Sequence, residues 1–297
     1  MKIAISLEAT DMKRILVATD FSARSDRAIR RATSLAKQFG VPLTLLHVVD
    51  DDQPQRIVEV QHNAALTLLR ELAQTLHDVD GVKCDPQIVR GDAFAGIVTT
   101  GEHTGADLQV IGSHRRQVLR DVFVGTTAER AIRTSLRPTL MANAVPEGPY
   151  RHVLVAVDFS RSCRDAVRTL LELGLTSKTL VSAAHVFDTP DGSLMSRASL
   201  GPEEIKDYID EERQRAAREM EAFLREAHLA PARVILAPKE SSTGVTICNI
   251  AREVGADLIV AGTHGRTGIL KLLLGSVAEE VLINSGVDVL AVPPGRR

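Results

Sequence analysis

The chain repeats itself, and the repeat limits what it can fold into more than any other feature. Residues 14–22, RILVATDFS, return 138 positions later as residues 152–160, HVLVAVDFS. Residues 107–115, DLQVIGSHR, then nine residues and Gly125-Thr126, return 150 positions later as 257–265, DLIVAGTHG, then nine residues and Gly275-Ser276. A sequence duplicated in tandem must build one fold twice. The growth of the offset puts about twelve extra residues in the second copy, between His185 and Ala251. With 297 residues in all, each copy is long enough to close its own core. The expected layout is an N-terminal extension over 1–12, a first domain over 13–145, a linker over 146–150 and a second domain over 151–297. Two prolines and a glycine in Val145-Pro146-Glu147-Gly148-Pro149 make a semi-rigid turn, which predicts halves packed against each other.

Within the first copy, short β-rich runs alternate with runs of helical period. The pattern predicts strands over 15–19, 43–49, 87–89, 108–111 and 139–142. Helices are predicted over 25–39, 58–77, 94–104 and 126–135. In 25–39 the apolar residues Ala28, Ile29, Ala32, Leu35 and Ala36 fall every three to four positions, and Gly40 and Pro42 stop the helix. Strands joined by helices of this length must run parallel, with right-handed crossovers and helices on both faces. The fold class is therefore α/β, as two tandem five-stranded parallel-sheet domains. The second copy repeats the order from Val153 to Val292. Its inserted middle reads as a turn-rich loop over 190–202 and a long charged helix over 203–227. Ile205, Ile209, Ala216, Met220, Phe223, Leu224 and Ala227 form one apolar face there.

Composition narrows the functional classes. No run of eighteen apolar residues occurs, and residues 1–12 lack the apolar core of a secretory signal, so a cytoplasmic protein is expected. Met12 is an alternative start. Lysine and arginine total 36 against 38 acidic residues, a balance without general attraction to nucleic acid or anionic lipid. Cys84, Cys163 and Cys248 have neither metal-ligand nor redox spacing and read as small apolar fillers in a reducing compartment.

The loops that follow the strands carry the chemistry. Ligands of such sheets collect at the strand C-termini, near the switch in strand order, where Asp20 and the Gly112 loop would emerge. Gly262, Gly265 and Gly275 leave room for a phosphate to reach backbone N–H groups, a helix N-terminus adds partial positive charge, and Ser276 adds a hydroxyl. Asp158 reads either as an acceptor for a ribose hydroxyl or as a helix cap or turn former. His264 reads either as a phosphate contact or as a backbone hydrogen-bonder. There is no P-loop lysine, nucleophile elbow, zinc-binding histidine pair or cluster of carboxylates for two metals.

These residues together resemble the universal stress protein family, as two such domains in one chain. The resemblance spans about Lys13 to Pro294 and rests on the Val-x-x-Asp-x-Ser strand ends, His47-Val48 and His185-Val186, and the G-x-x-G-x9-G-[ST] loops. It implies a flavodoxin-like, adenine nucleotide alpha-hydrolase-like sandwich. It also implies pairing of the last strands, 139–142 with 288–292, as an intramolecular pseudo-dimer, with a further homodimer possible. The family holds ATP in some members. Carried over, the second domain would bind the nucleotide, possibly with Mg²⁺, through Asp158, Val186, Gly262, His264, Gly265, Gly275 and Ser276.

The first domain would hold a degenerate site at Asp20, Val48, Gly112, His114, Arg115, Gly125 and Thr126. Arg115 replaces the middle glycine there and either blocks the phosphate or binds it; loss of ordinary ATP binding is the favoured expectation. In the second domain Ser241-Ser242 stand where the first has Gly91-Asp92, with Gly244 expected to take over the turn. The expected function is a nucleotide-binding stress or signalling protein. Weak ATPase or autophosphorylating activity and an interaction scaffold without nucleotide are the alternatives; the protein partner is left unidentified, and neither nucleic acid nor membrane is implied.

Overall fold

The repeat in the sequence becomes a repeat in register. The computed structural model describes residues 12–113, 116–117, 120–121, 126–188, 202–239, 241–264 and 274–295. The first half runs β1 (Ile15–Ala18), α1 (Ala23–Phe39), β2 (Leu43–Val49), α2 (Gln55–Asp80), β3 (Cys84–Arg90), α3 (Ala93–His103) and β4 (Leu108–Gly112). A two-residue ribbon follows, β5 (Arg116–Gln117) with β6 (Arg120–Asp121), and then α4 (Thr127–Thr134) and β7 (Thr139–Ala142). The second half runs β8 (His152–Ala156), α5 (Arg161–Glu172), β9 (Leu180–Phe187), α6 (Pro202–Glu226) and β10 (Arg233–Pro238). It ends with α7 (Thr243–Val254), β11 (Leu258–Gly262), α8 (Ser276–Asn284) and β12 (Asp288–Val292).

Ten strands form one sheet in the order β10-β9-β8-β11-β12-β7-β4-β1-β2-β3. Ile15 lies beside Leu108 in the first half, and Val153 beside Leu258 in the second. The same pairs recur at offsets of 138 and 150, so duplication preserved the strand register. Every ladder of this sheet is parallel except the central one, where β12 meets β7 antiparallel with Leu290 opposite Leu140. The expected pairing of the last strands is therefore present within the chain. The ribbon β5–β6 has no counterpart among the predicted elements.

Both faces of the sheet are covered, as a parallel sheet requires. One apolar cluster gathers α1, α2, α5 and α6 residues, among them Leu35, Leu69, Val167 and Phe223, and the other gathers Ile97, Ile132, Ile247 and Leu282 from α3, α4, α7 and α8. Each cluster runs through both halves, so the core does not stop at the domain boundary. Helix starts follow from short polar side chains. Ser22 and Ser160 accept from the N–H of Ser25 and Cys163, Asp92 from Phe94, Thr126 from Glu129 and Ser242 from Val245. Each satisfies one of the donors that a helix N-terminus leaves unpaired.

Two expectations need correction. The long helix of the second half is not an addition: α6 has 25 residues and α2 has 26, so they are counterparts. The extra length lies mainly in the connection before it, 188–201 against 50–54; the predicted loop over 190–202 lies outside the described residues except for Pro202, which opens α6. Ala216, Met220 and Phe223 of α6 are buried as the apolar face predicts. Gly244, in turn, makes no turn; it is the second residue of α7, with its N–H donated to Glu280 Oε2 at 2.9 Å. A Cβ there would overlap the Glu280 side chain.

Candidate functional site

At the C-terminal ends of β1 and β8 the two halves build the same corner. Asp20 Oδ1 accepts from the Ser22 N–H at 3.0 Å, and Asp158 Oδ1 from the Ser160 N–H at 2.9 Å. These are Asx turns, and the serine two residues after each aspartate carries the helix cap. The aspartates therefore shape the turn with one oxygen and do not cap the helix. Between aspartate and serine, Phe21 and Phe159 take φ of 59° and 62°. A left-handed conformation costs a bulky residue about 1–3 kcal/mol, and such strain gathers at working sites. Each ring rests on a histidine, Phe21 on His47 at 4.6 Å and Phe159 on His185 at 4.3 Å. The Nδ1 atoms of those histidines bond the Thr19 and Val157 carbonyls at 2.8 and 2.7 Å.

The strand order switches between β1 and β4, where both β1 neighbours send their connections to opposite faces. A cavity of about 260 Å³ opens there in the first half. Ala18, Leu46, Val48, Ile97 and Ile111 line an apolar part, and Asp20, Arg24, Ser113, Thr126 and Thr127 a polar part. Burial acts to raise the Asp20 pKa but is outweighed by hydrogen bonds from the Ser22 and Ser25 hydroxyls and the Ser22 N–H, and by the charge of Arg24. The carboxyl is thus held below its ordinary value and is ionised at neutral pH.

The structure brings Asp20, Val48, Gly112 and Thr126 together around this cavity. His114, Arg115 and Gly125 lie outside the described residues, as does Gly265 of the second half. Gly112 and Gly262 have an architectural duty. A Cβ on Gly112 would meet the Arg24 carbonyl carbon at 2.9 Å, and one on Gly262 the Ser162 Oγ at 2.7 Å. These glycines let α1 and α5 approach the neighbouring strand ends. Gly275 donates its N–H to the Thr263 carbonyl at 2.7 Å, so that N–H is already engaged. It is also the N-cap of α8, while Ser276 is exposed at the first helical position.

His264 turns Nδ1 to the Thr263 hydroxyl at 3.0 Å, and its Nε2 is buried without a partner among the described residues. The buried Ser162 Oγ is likewise unpartnered. Val186, half-buried, packs on the second core cluster. Burial, with Asp158 nearby, pushes the Cys163 thiol up to about 12, which disfavours its thiolate. Burial likewise lifts Cys84 to about 11.

The sequence profile of the Universal stress protein family matches residues 12–143 and again 149–293. The chain belongs to the universal stress protein family. A universal stress protein of Mycolicibacterium smegmatis is 23% identical over 300 residues, 94% of this chain and 97% of that one. A universal stress protein of Methanocaldococcus jannaschii is 31% identical over 147 residues, 49% of this chain and 84% of its own. Among solved structures, a putative universal stress protein of Pseudomonas aeruginosa superposes with a TM-score of 0.68 at 20% identity, covering 96% of this chain and 94% of that one. That likeness shows the fold.

For this universal stress protein, sequence reasoning missed Arg24, Thr127 and the α3 residues Ala93 and Ile97 at the cavity. Arg24 carried a readable signal, because the duplicated second half has Ser162 at that position. The α3 residues carried none, since only the packing of that helix brings them to the strand ends. Among the described residues, no helix is long and apolar enough to cross a membrane.

Proposed function

We propose that this universal stress protein binds adenine nucleotide and signals by its occupancy. The cavity at the β1/β4 switch supports this reading most directly, because one side of it suits an apolar, flat base and the other a ribose and phosphate. A pocket of this kind, apolar with a few polar groups, is the usual form of a small-molecule site. Its volume of about 260 Å³ suits a nucleoside-sized group, with phosphates extending past Ser113 and Thr126. The ionised Asp20 would accept from ribose hydroxyls, and Asp158 would do the same in the second half.

In that second half, Gly262, His264, Gly265, Gly275 and Ser276 would surround the phosphates, with Val186 beside the base. The His264 Nε2, without a partner among the described residues, fits such a ligand, since a buried polar nitrogen left unpaired costs about 1–3 kcal/mol unless something satisfies it. The principal site is assigned to this half, with the first-half cavity retained as a second. ATP, with Mg²⁺ neutralising its phosphates, is the nucleotide proposed. What these residues supply is binding and orientation, so the expected output is a change of surface rather than turnover.

The test is calorimetric titration of ATP and Mg²⁺ into the full chain, after counting any nucleotide released from a denatured sample. Saturable binding, lost from the second half in Gly275→Val because the branched side chain fills the phosphate space, is the expected result. A chain that neither binds nor retains nucleotide would leave the reading without support.

A further inference from the structure

The two halves differ in charge at a position that lines the first-half cavity. Arg24 lines the polar side of the first-half cavity next to Gly112, Ser113 and Thr126, and the second half has Ser162 at this position. Arg24 is the second residue of α1, so its charge is opposed by the positive end of the helix. Its ion pair with Asp20, at 3.6 Å, is longer than the 2.7–2.9 Å of a charge-assisted hydrogen bond. Among the described residues the guanidinium thus keeps donors to spend.

On α4 the difference recurs with the same sign and a larger charge gap. Arg130 of α4 pairs with Asp92 at 3.0 Å and lies 3.7 Å above the Phe94 ring. Its counterpart in α8 is Glu280, which occupies the Gly244 N–H at the start of α7. The first half therefore carries arginine at both positions, where the second carries a serine and a carboxylate.

We propose that Arg24 is the phosphate-recognising residue of the first-half cavity, making that half select adenine nucleotides over adenosine by side-chain charge. The inference rests on the nucleotide reading above. A planar guanidinium is well matched to phosphate oxygens and holds its charge at any physiological pH. Because side-chain charges near the surface are screened, the preference for nucleotide over nucleoside should weaken with salt.

The experiment is photolabelling of the full chain with 2-azido-ADP, followed by peptide mapping, which reads the two halves separately. Adenosine and ADP are the competitors. In Arg24→Ala, the ADP concentration that half-protects the first-half peptides should rise about tenfold, as for loss of one charged hydrogen bond. Adenosine protection should not move, second-half labelling should be unchanged, and Arg24→Lys should recover part of the loss. In the parent chain, raising salt should weaken ADP protection of the first half, and in Arg24→Ala it should not. Arg24 is about a third exposed, so the variant keeps its core, and circular dichroism checks this. Equal weakening of ADP and adenosine, or no change for ADP, would overturn the role of Arg24 while leaving the site in place. Absence of first-half labelling in the parent chain would overturn the nucleotide reading of that half itself.

Discussion

Replacing Asp288 by asparagine should loosen the joint between the two halves. Asp288 opens β12, is fully buried, and serves both halves at once. Its Oδ2 accepts from Arg31 Nε of α1 and from the Tyr150 hydroxyl, each at 2.7 Å. Its Oδ1 accepts from the N–H groups of Asn143 and Ala144 at 2.9 and 3.0 Å. Arg31 is only 4% exposed and also donates to the Gly148 carbonyl at 2.8 Å while lying 4.2 Å over the Tyr150 ring. Asparagine keeps the shape and one acceptor but leaves the guanidinium buried without its counter-charge. Breaking a buried pair in this way costs about 3–5 kcal/mol, a large share of the ~5–15 kcal/mol by which a folded chain is stable. The chain has no tryptophan and two tyrosines, so urea unfolding followed by far-ultraviolet circular dichroism is the suitable assay. Arg31→Met added to Asp288→Asn removes the stranded charge and should recover at least ~2 kcal/mol, a coupling read from the double-mutant cycle. A single-variant loss under about 1 kcal/mol, or strictly additive losses, would refute the idea that this pair holds the halves together.

Two other outcomes follow from the same structure. Gly112→Ala places a methyl group 2.9 Å from the Arg24 carbonyl carbon and oxygen, backbone that cannot rotate away, and should destabilise the chain by ~1–3 kcal/mol in the same assay. Gly262→Ala meets the movable Ser162 hydroxyl first and should cost less; the reverse order would count against the packing role. Burial, followed by the charge of Asp288, pushes the Tyr150 phenol well above its ordinary value near 10. Its stabilising contribution is thus complete below pH ~10 and is lost as pH rises towards the folded-state value. Urea midpoints measured from pH 8 to 11 should fall above pH ~10, and Tyr150→Phe should flatten that fall.

Much of the architecture was legible in the residue order, because its signals are local or repeated. The spacing between GSHR-x9-GT and GTHG-x9-GS placed two units, and the observed ladders keep the same register in both. Strands such as 43–49 and 139–142 matched residue for residue, since β-rich runs bounded by turn residues need only their neighbours. The corner at Asp20 and Asp158 was also readable as a place, though whether each aspartate caps or turns was not. That choice depends on which N–H groups the backbone presents, and Phe21 and Phe159 in the left-handed region decide it.

What the sequence determined by itself was the duplication, the alternation of strand and helix, and the two loops that a parallel sheet must bring to one edge. The tertiary structure decided the rest. It set Gly262 against α5, made α6 the equivalent of α2, placed Arg24 at the cavity, and buried Asp288 against an arginine 257 residues away. Periodicity and turn chemistry act over a few residues and leave their mark on the sequence. Close approach, charge pairing and burial arise between segments distant in the chain, and they become visible only when the sheet has closed through β7 and β12.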